Sequence, residues 1–186
     1  MFEVKSFYRA LSPCGSLSFP WKSVWRSQAP PRVAFFIWTA VWSKILTLDN
    51  LGRKGMVVVN RCWLCEMEGE SVDHLLLHCV AASTLWNAFF ARFGLCWVMP
   101  RSVKELFLSW WSGGRTRSAI VWKIVPHCIM WCIWSERNKR CFEDLARSRE
   151  ELLHFFLFTL YSWTTGWLAP WCIRFSDFLS YFSPSL

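Results

Sequence analysis

The stretch RCWLCEMEGESVDHLLLHC, residues 61–79, contains the residues most able to decide how this chain folds. It opens with Cys62 and Cys65, which are separated by two residues. A C-x2-C pair aims both sulfurs at one point from a single tight turn, and this supplies half of the tetrahedral ligand set that zinc prefers. The other half must come from a second element further along the chain, so the sequence predicts a zinc site that joins a turn to a helix.

Two residues compete to be the fourth ligand. His74 opens the second half of the motif, and Cys79 follows it with H-x4-C spacing. On an α-helix, residues five apart differ by about 140° around the axis, so these two side chains would need some adjustment to share a metal. His78 lies four residues after His74 and therefore on the same face. Spacing alone mildly favours His78 and leaves Cys79 open.

The motif indicates a structural metal, because four protein ligands leave no position for substrate and no H-E-x-x-H arrangement supplies a general base. Glu66, Glu68 and Glu70 are expected to face solvent. The chain has no glycine-rich phosphate loop and no G-x-S-x-G turn. Its four aspartates are scattered, whereas a two-metal nuclease or polymerase needs converging carboxylates. We therefore predict a protein that is not an enzyme.

The composition indicates a protein with a large core inside a reducing compartment. Of 186 residues, 54% are hydrophobic and 15 are tryptophan, so disorder through low hydrophobicity is excluded. The nine cysteines are an odd number, and no apolar leader precedes them. Clustered Cys and His in such a chain favour metal binding over disulfides. We expect an intracellular protein, nuclear or cytoplasmic, with some aromatic surface facing a partner.

Positive charge flanks the metal motif on both sides. Residues 1–60 hold 8 Lys/Arg against 2 Asp/Glu, and residues 101–140 again hold 8 against 2. Residues 61–100 hold 2 against 4. Basic flanks of this kind attract phosphate backbones, so they predict contact with nucleic acid.

Apolar periodicity predicts a mostly α fold made of short helices, with at most a minor strand pair and a helical C-terminal extension. We place the domain boundary in the break LCWVMPRS, giving a zinc-binding domain at residues 1–97 and an aromatic-rich extension at 98–186. Pro126 is expected to kink or split its helix near Val125. The stretch 2–11 is expected to open with an extended residue or two and to continue as at least one helical turn up to Leu11. The predicted helices after it cover residues 20–27, 31–45, 47–54, 71–93, 102–111, 116–145 and 148–163.

One segment, residues 152–173, carries no Asp, Glu, Lys or Arg and is long enough to span a bilayer. Gly166 and Pro170 interrupt it near its end. A buried or amphipathic helix is therefore favoured over membrane insertion, which stays as the alternative.

Landmarks spread over residues 2–90 resemble a known family. They are FEVKSFY at 2–8, WKSVW at 21–25, PPRVAFFIW at 30–38, LTLDNLGRKG at 46–55, the metal motif itself and the LW that follows it. Together they resemble the zinc-binding domain that follows the reverse transcriptase in plant LINE-type (non-LTR) retrotransposons. The later run MWCIWSERNKRCFED also resembles the helical extension found after that domain.

The resemblance implies one structural zinc ion held by Cys62, Cys65, His74 and Cys79, which moves the preferred fourth ligand from His78 to Cys79. From the basic flanks we expect contact with RNA or a template–primer, and we expect a reverse transcriptase to act in trans, because the sequence resembles a truncated piece of such an element. A truncated and inert transposon product, or a protein-interaction remnant, is the alternative. The basic residues expected to contact nucleic acid are Lys22, Arg26, Arg32, Lys44, Arg53, Lys54 and Arg61.

Overall fold

The computed structural model describes residues 19–92, 94–110, 117–168 and 174. The predicted extended start and helical turn at 2–11 lie outside these residues. Within them the fold is mostly α, as predicted, and contains no strand, and the segment 56–60 has no regular secondary structure. The helices are α1 (Trp21–Trp25), α2 (Pro31–Val41), α3 (Leu48–Arg53), a π-helical turn (His74–His78), α4 (Val80–Arg92), α5 (Val103–Ser109), α6 (Arg117–Phe142) and α7 (Arg149–Leu168).

Helix α2 lies at the centre of the N-terminal half. Its apolar residues form an aliphatic stripe and an aromatic stripe, and only the aliphatic stripe is buried. Pro31 suits its first position because the proline ring fixes a helical φ and its missing N–H is not needed there. Val33, Ile37 and Val41 are at most 5% exposed. Phe35, by contrast, is 57% exposed. The aromatic side of this helix therefore lies at the edge of the fold.

A hairpin of α6 and α7 forms the C-terminal half, and its apolar face continues the same hydrophobic core. Helix α6 also packs against α2, α4 and the π-helical turn. Buried residues from both halves, including Ile37, Leu76, Ile129 and Phe156, belong to one cluster. The non-helical break around residues 95–102 is present, while the domain boundary placed there stays a prediction.

Pro126 does not split α6, which runs unbroken from Arg117 to Phe142. A proline inside a helix cannot donate to the carbonyl four residues earlier, which here is that of Trp122. The indole Nε1–H of Trp110 donates to this carbonyl instead, at 2.8 Å. The two tryptophan rings also stack, with centroids 4.4 Å apart. Tertiary contacts thus compensate for the break that the local sequence predicts.

Helix α7 begins with a capping box, since Ser148 accepts a hydrogen bond from the Glu151 N–H and the Glu151 carboxylate accepts one from the Ser148 N–H. Its buried stripe, which includes Leu152, Phe156 and Leu160, packs in the core. This is the buried helix favoured from sequence. Across the described residues, none of the helices combines the length and the apolar character that crossing a membrane requires.

Candidate metal centre

The C-x2-C pair sits on a tight turn that hydrogen bonds within itself. The Glu66 N–H donates to the Cys62 carbonyl at 2.9 Å, and the Cys62 N–H donates to the Glu68 carbonyl at 2.8 Å. Glu66 adopts a φ of 55°, which turns the chain back on itself. Cys62 is fully buried and Cys65 is half-buried, so both sulfurs face inward from one loop.

The second half of the motif is not the regular helix that the spacing predicts. Ser71 caps the first turn by accepting a hydrogen bond from the His74 N–H. From His74 to His78 the chain widens into a π-helical turn, which closes with the Cys79 N–H donating to the His74 carbonyl five residues earlier. Cys79 itself leaves helical geometry, with φ −54° and ψ 142°, before α4 begins.

This local widening removes the objection to Cys79 as a ligand. In a π-helical turn the residue five positions on lies roughly above the first, because the hydrogen bond joins i to i+5 rather than i to i+4. His74 and Cys79 therefore come to the same side of the chain, although a regular α-helix would have separated them. Turns of this kind occur often at functional sites.

The four side chains implied by the resemblance converge. The sulfur atoms of Cys62, Cys65 and Cys79 and a ring nitrogen of His74 all lie within 4.8 Å of one another. Within the described part of the chain, this is the one group of three or more His, Cys, Asp or Glu side chains with metal-binding geometry.

The separations match a tetrahedral zinc site. The Sγ atoms of Cys62 and Cys79 are 3.9 Å apart, and the Cys65 Sγ is 3.4 Å from the His74 Nε2. Zn–S bonds of about 2.3 Å and Zn–N bonds of about 2.0 Å place tetrahedral ligand atoms about 3.8 Å apart for S–S and about 3.5 Å apart for S–N. The cluster fits one structural zinc ion, and its four protein ligands would fill the coordination sphere.

His74 presents its ring to the cluster in a fixed orientation. Its Nδ1 lies 3.1 Å from a carboxylate oxygen of Glu68, while Nε2 faces the sulfurs. A carboxylate on one ring nitrogen of a histidine holds the proton there and makes the other nitrogen the better metal ligand. Glu68 is exposed, as predicted, yet it contacts the site through His74.

His78 points away from the cluster. Its side chain is exposed, and its Nε2 lies 3.3 Å from the Arg101 carbonyl, to which it can donate. The α-helical spacing that mildly favoured His78 does not apply, because the chain is π-helical at this point.

The buried thiols of Cys62 and Cys79 share a hydrogen bond. This bond, together with burial, raises the pKa of Cys62, and the same bond lowers the pKa of Cys79. Cys79 therefore gives up its proton more readily than its partner does. Zinc binds thiolates, so metal binding would displace the proton held between the two sulfurs and would be weakened by acid.

Glu70, which we expected to face solvent, is instead fully buried. Its carboxylate forms an ion pair with Arg137 of α6 at 2.8 Å, and Arg137 is only 3% exposed. The same carboxylate accepts the backbone N–H of Leu48, the first residue of α3. Burying a carboxylate requires such a charged partner and hydrogen bonds. Glu70 thus joins the metal loop, residues 61–79, to two other helices.

A second buried carboxylate holds α6 against the start of α7. Glu136 accepts hydrogen bonds from the Arg140 and Arg147 guanidinium groups, each at 2.9 Å. Burial raises the pKa of Glu136, but the Arg147 backbone N–H and the two guanidinium groups outweigh it and hold that pKa below its usual range. Arg140 also donates to the Leu64 carbonyl, inside the C-x2-C turn.

Sequence reasoning missed these charged residues, although α6 carried a signal for them. Glu136, Arg137 and Arg140 follow Ile129 and Ile133 at helical spacing, so they continue the buried stripe of the helix. A charge in register with a core stripe is a candidate for a buried ion pair.

All seven basic residues predicted to contact nucleic acid are exposed. They differ in what they touch. Arg53 pairs with Asp49 and Arg61 with Glu66, each at 3.4 Å, and Arg32 lies over the Trp131 ring. Four make no side-chain ion pair within the described residues, namely Lys22, Arg26, Lys44 and Lys54. Their role stays a prediction.

Comparison with known proteins supports the identity of the N-terminal part. No curated protein and no solved structure matches the chain. A protein-family model does match residues 2–86, which include the whole metal loop. That family is described as zinc-binding in reverse transcriptase, so the metal centre lies in a region similar to a reverse transcriptase zinc-binding domain.

Proposed function

We propose that the chain is a non-catalytic, zinc-stabilised module of the kind carried by plant LINE-type retrotransposon polyproteins, and that it contacts RNA or a template–primer. It would work inside the cell, where thiols stay reduced, on its own or beside a reverse transcriptase supplied in trans. The zinc ion would serve the fold, since Cys62, Cys65, His74 and Cys79 together leave no open coordination position.

The main support for contact with nucleic acid is the excess of positive charge at the surface of the N-terminal half. Between Phe19 and Leu48 the chain holds four Lys or Arg residues and no Asp or Glu. Each of the four is exposed. Cations that lack carboxylate partners attract phosphate, and the affinity they provide falls steeply as salt rises because counterions are released from the nucleic acid.

RNA binding by the zinc-loaded chain tests this proposal. Kd for a mixed-sequence single-stranded RNA, measured by fluorescence anisotropy, should rise between about 50 and about 200 mM salt, with each phosphate contact contributing about 0.7 to the log–log slope. Replacing Lys22, Arg26, Lys44 and Lys54 together by Gln should weaken binding and flatten that slope. Lys139→Gln, which removes an exposed cation that faces Glu143, is the matched control and should bind as the wild type does.

A wild-type chain that holds zinc but binds no RNA at either salt concentration would refute the nucleic-acid role. That result would favour a protein-interaction module, for which the segment 56–60 supplies a specific observation. It has no regular secondary structure, and the side chains of Val57 and Val59 are almost wholly exposed. Exposed apolar side chains of this kind can contact another protein.

A further inference from the structure

Three exposed tryptophans lie on or beside α1 and the end of α2. Trp21 and Trp25 stand one turn apart on α1 and are 59% and 42% exposed, while Trp42 follows α2 directly and is 47% exposed. Fully buried Val24 turns inward between the first two. Large aromatic rings are normally drawn into a core, so three of them held at a surface mark a place where another molecule binds.

Two of these three rings, Trp21 and Trp42, are joined through Phe19, and Trp25 stands one turn from Trp21 on the same helix. Phe19 stacks on Trp42 with centroids 5.4 Å apart and also contacts Trp21 at 4.6 Å. It therefore bridges α1 to the end of α2. We call Phe19, Trp21, Trp25 and Trp42 the aromatic platform. Because Phe19 already holds two of the rings in place, the protein would lose little side-chain entropy when a ligand stacks on them.

Positive charge accompanies the platform. The Lys104 ammonium lies 5.9 Å from the centre of the Trp42 ring, reaching over from α5. Lys22 and Arg26 each follow one of the α1 tryptophans in sequence, and Lys44 comes two residues after Trp42. No Asp or Glu occurs from Phe19 to Leu48, so the elements that carry the platform hold no carboxylate.

We propose that the aromatic platform is a binding site for single-stranded nucleic acid, whose unpaired bases stack on Trp21, Trp25 and Trp42 while its phosphates contact the neighbouring cations. Aromatic rings combined with a basic surface are the arrangement by which proteins hold single strands without reading sequence. Paired bases are stacked on each other inside a duplex, so the platform selects single strands. This inference rests on the proposed nucleic-acid role and adds to it the form of the ligand and the residues that hold it.

Fluorescence anisotropy with labelled oligouridine and with a duplex RNA of the same length tests the platform in the zinc-loaded full chain. Wild type should prefer oligouridine. Trp21→Ala should weaken oligouridine binding about tenfold, which is the effect expected when one base loses its stacking partner. Its salt slope should not change, because no phosphate contact is removed. Lys104→Gln should instead flatten the slope by about 0.7.

Trp21→Phe and Phe142→Ala keep the result interpretable. Phe at position 21 retains an aromatic face and should recover most of the affinity, whereas loss of folding would affect zinc content as well. Phe142 is 77% exposed at the end of α6, away from the platform, so its removal should leave binding unchanged. Equal weakening by Phe142→Ala would show that any lost aromatic surface has the effect, and would overturn the site.

Two further outcomes separate this site from the broader proposal. Oligouridine that binds wild type and Trp21→Ala equally, or a duplex that binds as tightly as the single strand, would overturn the platform while leaving the nucleic-acid role intact. Absence of binding by any RNA would overturn both, and would favour a protein partner for the exposed rings.

Discussion

In the metal loop, residues 61–79, several of the side chains that fix the conformation are polar or metal-binding, whereas in the hairpin of α6 and α7 they are mainly apolar. The loop relies on the Cys–His cluster and on the Glu70–Arg137 pair. The hairpin buries stripes that include Ile129, Ile133 and Phe156. The two regions should therefore be destabilised by different changes. The loop should respond to metal removal and to loss of charge, and the hairpin should respond to lost packing.

Metal removal should give the largest difference between the two regions. A structural zinc ion contributes its binding free energy to folding, about 10 kcal/mol or more in small zinc peptides. We expect a zinc chelator to abolish amide protection across the metal loop while α6 and α7 keep most of their helicity. Hydrogen exchange followed by mass spectrometry, with far-UV circular dichroism, would measure both.

Equal loss of amide protection in the loop and in the hairpin would show that the hairpin also depends on the metal, and that zinc stabilises the whole chain. A loop that stays protected after the chelator has removed the metal would mean that Glu70 and its neighbours suffice to hold it.

Breaking the buried ion pair should have the next largest effect. Arg137→Met leaves the Glu70 carboxylate buried without its charged partner, which costs about 3–5 kcal/mol. Urea unfolding of the zinc-saturated chain would measure this loss. Adding Glu70→Gln to the same chain should recover part of it, because the unpaired charge is then gone.

Lys139→Met is the matched control for that experiment. Lys139 lies on the same helix, but its ion pair with Glu143 is exposed to solvent. Its loss should change the unfolding free energy by less than about 1 kcal/mol, the usual range for a surface pair. Similar losses of unfolding free energy for both variants would show that the buried Glu70–Arg137 pair stabilises the fold no more than a surface pair does.

Acid should act on the hairpin through His127, which is fully buried on α6. Burial lowers the pKa of His127 to about 4. The unfolded chain takes up this proton near pH 6.5 and the folded chain does so only near pH 4, so stability falls as pH drops through that window, by about 3 kcal/mol in all. Unfolding free energies measured from pH 7 to pH 4 should show this loss.

His127→Gln should remove that part of the pH dependence while leaving the part due to the metal ligands. Comparing the two proteins at each pH isolates the histidine, since both carry the same Cys–His cluster. Parallel pH profiles for wild type and His127→Gln would contradict the assignment of this acid sensitivity to His127.

The sequence predicted the helical class and three of the four members of the metal cluster for physical reasons. Apolar periodicity reports which face of a helix is buried, and a C-x2-C turn can be read from spacing alone. The choice of Cys79 over His78 could not be read that way. It depends on a π-helical turn, which the spacing of residues on a regular helix does not indicate.

Contacts between residues distant in sequence explain why the expectations for Glu70 and Pro126 differ from the structure. Glu70 looks like an ordinary loop carboxylate until Arg137, 67 residues away, is brought beside it. Pro126 predicts a break until Trp110 supplies the donor for the Trp122 carbonyl. In both cases a contact between residues distant in sequence reverses the local preference.

Metal stoichiometry of three purified proteins is the most direct test of the zinc site formed by Cys62, Cys65, His74 and Cys79. Wild type and His78→Ala should each bind about one zinc per chain, since His78 faces solvent beside Arg101. Cys79→Ser should lose tightly bound zinc, because a structural site needs all four of its ligands. Retention of zinc by Cys79→Ser together with its loss from His78→Ala would show that His78, and not Cys79, is the fourth ligand.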